Sequence, residues 1–142
     1  MLFMLIDKNS HFEKSLNDYS FGKDKRITKA EDYKKTFSEN NKYVGKYLII
    51  WVRINNEKVL RLGIIASKKM HNKANKRNFA KRRIREIFRK LRPFLIKSFD
   101  LVIISRKSLL NSSEIEIKKE LIDLLYKANV ITVKNYNVLK DA

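Results

Sequence analysis

The stretch "KRNFAKRRIREIFRKLR", residues 76–92, holds nine Lys or Arg among its seventeen positions and one acid, Glu86. At about 3.6 residues per turn, Ala80, Ile84, Ile87, Phe88 and Leu91 fall on one stripe. Lys81, Arg82, Arg85, Arg89 and Arg92 gather opposite, with Asn78 among them. The spacing predicts an amphipathic helix that stops at Pro93. A solvated helix interleaves Glu with its cations for i,i+4 support, whereas here the cations repel one another with almost no acid to relieve them. The missing negative charge must come from a partner, and the planar fork of Arg suits phosphate oxygens. Nucleic acid answers that need better than a membrane surface, a calmodulin-type partner or bare solvent.

The flanking segments place this helix between strands. "KYLIIWVRI" (46–54) and "KVLRLGIIAS" (58–67) are rich in Val, Ile and Leu, with "NNE" between them, which predicts a hairpin. In the first, Leu48, Ile50, Val52 and Ile54 form the cleaner core face. The other face, Tyr47, Ile49, Trp51 and Arg53, mixes aromatics with a cation, and Arg61 of the second strand offers it another. Such a face can stack unpaired bases, or Trp51 can lie under a neighbouring helix. "DLVIISR" (100–106) is a short apolar run of the interior-strand type, parallel to a neighbour because a helix intervenes. In "SSEIEIKKELIDLLYKAN" (112–129), Ser113 and Glu116 make a capping box, and Ile117, Leu121, Leu124, Leu125 and Ala128 make a core stripe. "VITVKNYNVLKDA" (130–142) reads as a short strand or a loose tail.

Upstream, "RITKAEDYKKTFSENN" (26–41) opens with Thr28 and Glu31 in capping-box spacing, and Tyr33 and Phe37 share one face of a short helix. The pair reads either as core anchors or as the border of a basic groove, with Lys29, Lys34 and Lys35 nearby. Residues 1–24 read as a poorly ordered extension; their apolar start "MLFMLI" ends at Asp7 and does not resemble a secretory signal. The expected organisation is therefore that extension, an α/β sandwich domain over 25–130, and a C-terminal tail over 131–142.

Composition agrees with a single basic domain. The 142 residues are 44% hydrophobic, enough for one core, and their formal charge of +18 calls for a polyanionic partner. Without Cys there are no disulfides or thiolate metal sites, and His11 and His71 are the only imidazoles. That disfavours a zinc enzyme or a His-dependent hydrolase.

The order helix, hairpin, basic helix, strand, helix makes a small α+β sandwich with helices on an open sheet. Within it, "ASKKMHNKANKRNFAKRRIREIFR" (66–89) resembles the signature of the bacterial ribonuclease P protein subunit, a Ser-Lys-Lys strand end leading to an Arg-Asn-x-x-Lys-Arg-x-x-Arg helix. "RITKAEDYKKTF" (26–37) is similar to that family's opening helix with its paired aromatics, and the likeness runs from about Arg26 to about Lys127.

The resemblance implies a two-layer sandwich of order α-β-β-β-α-β-α with a left-handed β-α-β crossover, a ribosomal-protein-like RNA-binding fold. It also implies a cytoplasmic protein that binds the catalytic RNA of ribonuclease P and the 5′ leader of precursor tRNA, with neither DNA nor membrane as partner. The RNA subunit would cut with Mg²⁺ that it mainly holds itself. By position, Lys68, Lys69, Arg77, Asn78, Lys81, Arg82, Arg85 and Arg89 would face the catalytic RNA, and Tyr33, Phe37, Trp51 and Arg61 the leader. The chain departs from the family pattern twice. His71 stands where Gly is usual, in a loop one residue longer, and Phe79 follows Asn78 where Arg is common. The second departure loses one phosphate contact or replaces it by stacking, with Arg83, Lys76 or Lys73 available to compensate.

No catalytic residue or metal site is expected in the protein. The close acidic pairs, Glu31 with Asp32 and Glu114 with Glu116, sit at helix starts, where capping and the helix dipole account for them. The alternatives are a ribosomal or other structured-RNA-binding protein and a self-sufficient nuclease.

Overall fold

The computed structural model describes residues 25–141; the segment expected to be a poorly ordered extension lies outside them. The elements run α1 (Ala30–Ser38), β1 (Lys42–Val44), β2 (Leu48–Ile54), β3 (Arg61–Ile65), α2 (Ala74–Leu91), β4 (Phe99–Ser105), α3 (Glu114–Lys127) and α4 (Val133–Asp141). Short 3-10 turns at Arg92–Phe94 and Lys107–Asn111 flank β4.

The sheet order is β1-β2-β4-β3, with β4 antiparallel to β2 and parallel to β3. This corrects the expected hairpin: β2 and β3 each pair with β4 and not with each other. The apolar run of β4 is buried along most of its length, so its stable place is the middle, hydrogen-bonded on both edges. The connection between β2 and β3 is tied to β4 by Asn55, whose amide N–H donates to Ser98 O at 2.8 Å. The parallel pairing of β3 and β4 through α2 agrees with the sequence reading.

One face of the sheet carries the main core. Leu48, Ile50 and Val52 of β2, Leu62 of β3, and Leu101 and Ile103 of β4 pack with Ala80, Ile84, Ile87, Phe88 and Leu91 of α2. Ile117, Leu121, Leu124 and Leu125 of α3 complete it. The α2 stripe is the expected one; Ile54, expected with the core face, is 72% exposed because β2 ends there. The opposite face, with Trp51, Arg53, Arg61, Gly63, Asp100 and Val102, lies under α1.

Local chemistry fixes the helix ends. Ser113 and Glu116 form the expected capping box, the Ser113 hydroxyl accepting from the Glu116 amide and Glu116 accepting from the Ser113 amide. The box expected at Thr28 and Glu31 does not form. α1 is capped at Lys29 without a side-chain bond, because residues 26–27 pair with β3: Arg26 bridges Leu62, and the Ile27 amide donates to Leu62 O at 3.0 Å. The stretch expected to be a strand or loose tail is α4. Thr132 caps it, its hydroxyl accepting from the Asn135 amide, and Tyr136 stacks on Tyr126 of α3 with centroids 4.0 Å apart. No helix among the described residues is long and apolar enough to cross a membrane.

The two sides of α2 should respond differently to truncation. Ile84→Ala, at a fully buried position, should cost about 2–5 kcal/mol, whereas Arg85→Ala, exposed, should stay within about 0.5 kcal/mol. Urea unfolding of the two variants reads the contrast directly.

Candidate nucleic-acid interface

The face under α1 is organised by a buried carboxylate. Asp100 is fully buried at the start of β4, flanked in register by Arg53 of β2 and Arg61 of β3. Arg61 grips it with both arms of its fork, Nε to Oδ1 at 2.8 Å and Nη2 to Oδ2 at 2.7 Å, and Arg53 Nη2 reaches Oδ2 at 2.6 Å. Asn55 Nδ2 donates to Oδ1 at 2.6 Å. Burial alone would raise the pKa of Asp100, but the bonds from Arg61, Asn55 and Arg53 outweigh it and hold the carboxyl below its ordinary range. The same bond lifts the Arg61 guanidinium above its usual value.

These two arginines also dock α1. Asp32 on its first turn stands 3.8 Å from Arg53 and 3.5 Å from Arg61. Thr36, buried beneath the helix, donates its hydroxyl to Asp32 O at 2.8 Å. Arg61, expected to face the leader, is thus held mainly by carboxylates and forms part of the floor.

The docked helix presents its aromatics in a line. Tyr33 and Phe37 have centroids 6.5 Å apart, and Phe37 meets Trp51 of β2 edge-on at 5.1 Å. Lys42 Nζ lies 5.5 Å from the centre of the Trp51 ring. All three rings are half-buried, so they are neither closed core nor bare surface. Burial raises the Tyr33 hydroxyl above its ordinary value. Tyr33 lies close over Gly63, where an added Cβ would come 2.5 Å from the hydroxyl oxygen. Any larger residue in β3 at that point would push the ring away.

Beyond Tyr33 the line opens into a recess of about 210 Å³ lined by Arg26, Ile27, Thr28, Tyr33, Leu62, Gly63, Ile64, Lys81 and Arg85. Three cations and no acid face it. The recess joins the aromatic line to the charged side of α2, so two groups of residues separated in sequence share one surface.

The residues expected to meet the catalytic RNA, on α2 and in the turn before it, divide into two sets. Lys68, Lys69, Asn78, Arg82 and Arg85 are exposed and Lys81 is half-exposed; among the described residues none of these cations has an acidic partner. Arg77 donates from Nη1 to His71 O at 3.0 Å and Asn72 O at 2.7 Å, clamping the loop into α2. Arg89 bonds Glu86 at 2.6 Å, and that bond holds Glu86 below the usual carboxylate range. In the loop that bears the family departure, Met70 is buried and His71 Nδ1 accepts from the Lys73 amide at 3.0 Å.

Sequence reading missed Asp100, Asn55 and Arg26. Asp100 had a signal: a carboxylate at the head of an interior strand must find cations, and Arg53 and Arg61 were already assigned to one face.

The Ribonuclease P family model matches residues 21–129. The ribonuclease P protein component of Desulfosudis oleivorans is 32% identical over 111 residues, covering 78% of this chain and 91% of that protein. That of Thermotoga maritima is 35% identical over 112 residues, covering 75% and 93%. Among solved structures, the Staphylococcus aureus RNase P protein superposes with a TM-score of 0.68 at 28% identity, over 76% of this chain and 98% of that one. The T. maritima RNase P protein gives 0.65 at 32% identity, over 72% and 96%.

The network around Asp100 makes an acid-dependent contribution to stability. Because its native carboxyl is held low, that contribution is complete above the unfolded value of about 3.9 and is lost as pH falls through the lowered native value. Asp100→Asn should cost about 3–5 kcal/mol at neutral pH by leaving two arginines without their partner. It should also flatten the fall of the urea midpoint between neutral pH and strong acid.

Proposed function

This chain belongs to the ribonuclease P protein-component family, part of a tRNA-processing ribonuclease, and on that premise we propose that one continuous surface holds both the catalytic RNA and the 5′ leader of precursor tRNA. The observation that carries the reading is the join: the half-buried rings of Tyr33, Phe37 and Trp51 run into a recess faced by Arg26, Lys81 and Arg85. Aromatic faces beside unpaired cations suit single-stranded RNA, whose bases stack while its phosphates find positive charge. Lys68, Lys69, Lys81, Arg82 and Arg85 then serve the catalytic RNA, with Asn78 beside them. Arg77 and Arg89 act through the loop and helix they brace, and Arg61 acts by holding the cleft floor. The family match sets aside the ribosomal-protein alternative.

The protein's part is positional. Reduced repulsion between leader and ribozyme, and a leader ordered by stacking, raise cleavage without any protein group touching the scissile bond. The described residues gather no cluster of three or more His, Asp or Glu suited to a metal ion. The Mg²⁺ of the reaction is assigned mainly to the RNA subunit. The acids a self-sufficient nuclease would need are engaged elsewhere: Glu116 closes the α3 capping box and accepts from Tyr47 at 3.1 Å, and Glu114 pairs with Arg83 at 3.4 Å. The setting we assign is the cytoplasm, where precursor tRNA is processed.

Reconstitution with the catalytic RNA and precursor tRNA at low Mg²⁺ should give faster cleavage than the RNA alone; no gain overturns the reading. Alanine at Tyr33, Phe37 or Trp51 should weaken binding of leader-bearing tRNA by about 1–3 kcal/mol per lost stack and leave mature tRNA little affected. Equal losses for both substrates would refute the leader assignment.

A further inference from the structure

Phe79 is the one aromatic among the exposed large hydrophobic residues of the described chain, at 37% exposure, while the other rings are buried or half-buried. It lies on α2 outside the buried stripe and away from the cleft under α1. Its neighbours one turn away on the helix surface, at i−3, i+3 and i+4, are Lys76, Arg82 and Arg83. The Arg83 guanidinium stands 5.1 Å from the centre of the Phe79 ring, and Glu114 at the start of α3 holds that guanidinium at 3.4 Å. The ring is thus set beside a cation fixed from the next helix, with further positive charge around it and no core to fill.

We infer that Phe79 and Arg83 form a stacking platform for an unpaired nucleobase of RNA, with Lys76 and Arg82 placed for the phosphates on either side. The inference rests on the ribonuclease P reading above and extends it to a second aromatic contact, on the far flank of α2. The chemistry differs from that of the rest of the helix. A phosphate contact gains from counterion release and fades with salt, whereas stacking depends on ring area and is nearly indifferent to salt. Where the family motif commonly has Arg, this chain has exchanged a salt-dependent contact for one that persists as ionic strength rises.

The test compares Phe79→Ala, Phe79→Leu and Phe79→Trp in the full chain, measuring affinity for the catalytic RNA and separately for precursor tRNA across a salt series. Phe79→Ala and Phe79→Leu should weaken binding to one of these RNAs by about 5- to 150-fold. The slope of log affinity against log salt should be unchanged, and Phe79→Trp should restore affinity. Arg82→Ala, by contrast, should flatten that slope. Which RNA shows the loss identifies the source of the base. Melting temperatures should match the parent chain, since the ring supports no core. If Phe79→Leu binds both RNAs as tightly as the parent at every salt concentration, the platform is refuted. Failure of the parent chain to bind the catalytic RNA would instead sink the ribonuclease P reading, so the two failures are separable.

Discussion

The buried carboxylate of Asp100 is the constraint on which the cleft depends. In a chain of net charge +18, Arg53 and Arg61 reach toward the middle of one sheet face from strands on either side of β4. Without an anion between them that face would repel itself. Asp100 supplies one charge from below and Asp32 a second from α1 above, so two arginines and two aspartates make a locally neutral layer. The helix that carries Tyr33 and Phe37 is seated by this layer as well as by apolar contact. A buried ion pair is weak evidence for stability, but its directional bonds define where a helix can dock.

The same accounting divides the arginines by task. Arg53 and Arg61 hold the cleft floor, Arg77 clamps the loop before α2, and Arg106 donates from Nη1 to Gly45 O at 2.7 Å. Arg92 bonds Leu60 O. Planar, multiply donating guanidinium groups are suited to such work, since one side chain can satisfy several acceptors. The cations left without an acid on the proposed RNA surface include three lysines, Lys68, Lys69 and Lys81, beside Arg82 and Arg85. Reading every basic residue of the motif as an RNA contact overlooks how many of them the fold itself requires.

Periodic features were legible in the sequence; pairings over distance were less so. The stripe of Ala80, Ile84, Ile87, Phe88 and Leu91 follows from helical spacing alone, and the alternation of Leu48, Ile50 and Val52 from strand spacing. The place of β4 between β2 and β3 did not follow, because two adjacent apolar runs signal a hairpin whether or not a later strand separates them. Thr28 and Glu31 matched a cap by spacing, but pairing of residues 26–27 with β3 set the helix start. The mixed composition of residues 130–142 hid α4, although Thr132 with Asn135 is a cap that spacing could have exposed. At the site, the aromatic line was foreseen as one of two readings. Its dependence on Asp100 was not, since it takes three strands to see a single acid between two arginines.

The positions of the aromatic line and the basic helix also constrain how the molecule can act. α1 is fixed to the sheet through Asp32, α2 is fixed through a fully buried stripe, and the recess lies where both meet β3. Moving either wall would break a half-buried ion pair or open the core, so the surface is preorganised and little conformational entropy would be lost on binding RNA as proposed. Gly63 contributes at the centre, since the absence of a side chain there lets Tyr33 lie close against β3. On the proposed reading, a rigid scaffold of this kind acts by fixing the relative placement of two RNA segments. A basic chain accordingly places Asp100, the one buried acid among its described residues, and the half-buried Asp32 beneath the surface that RNA is proposed to occupy.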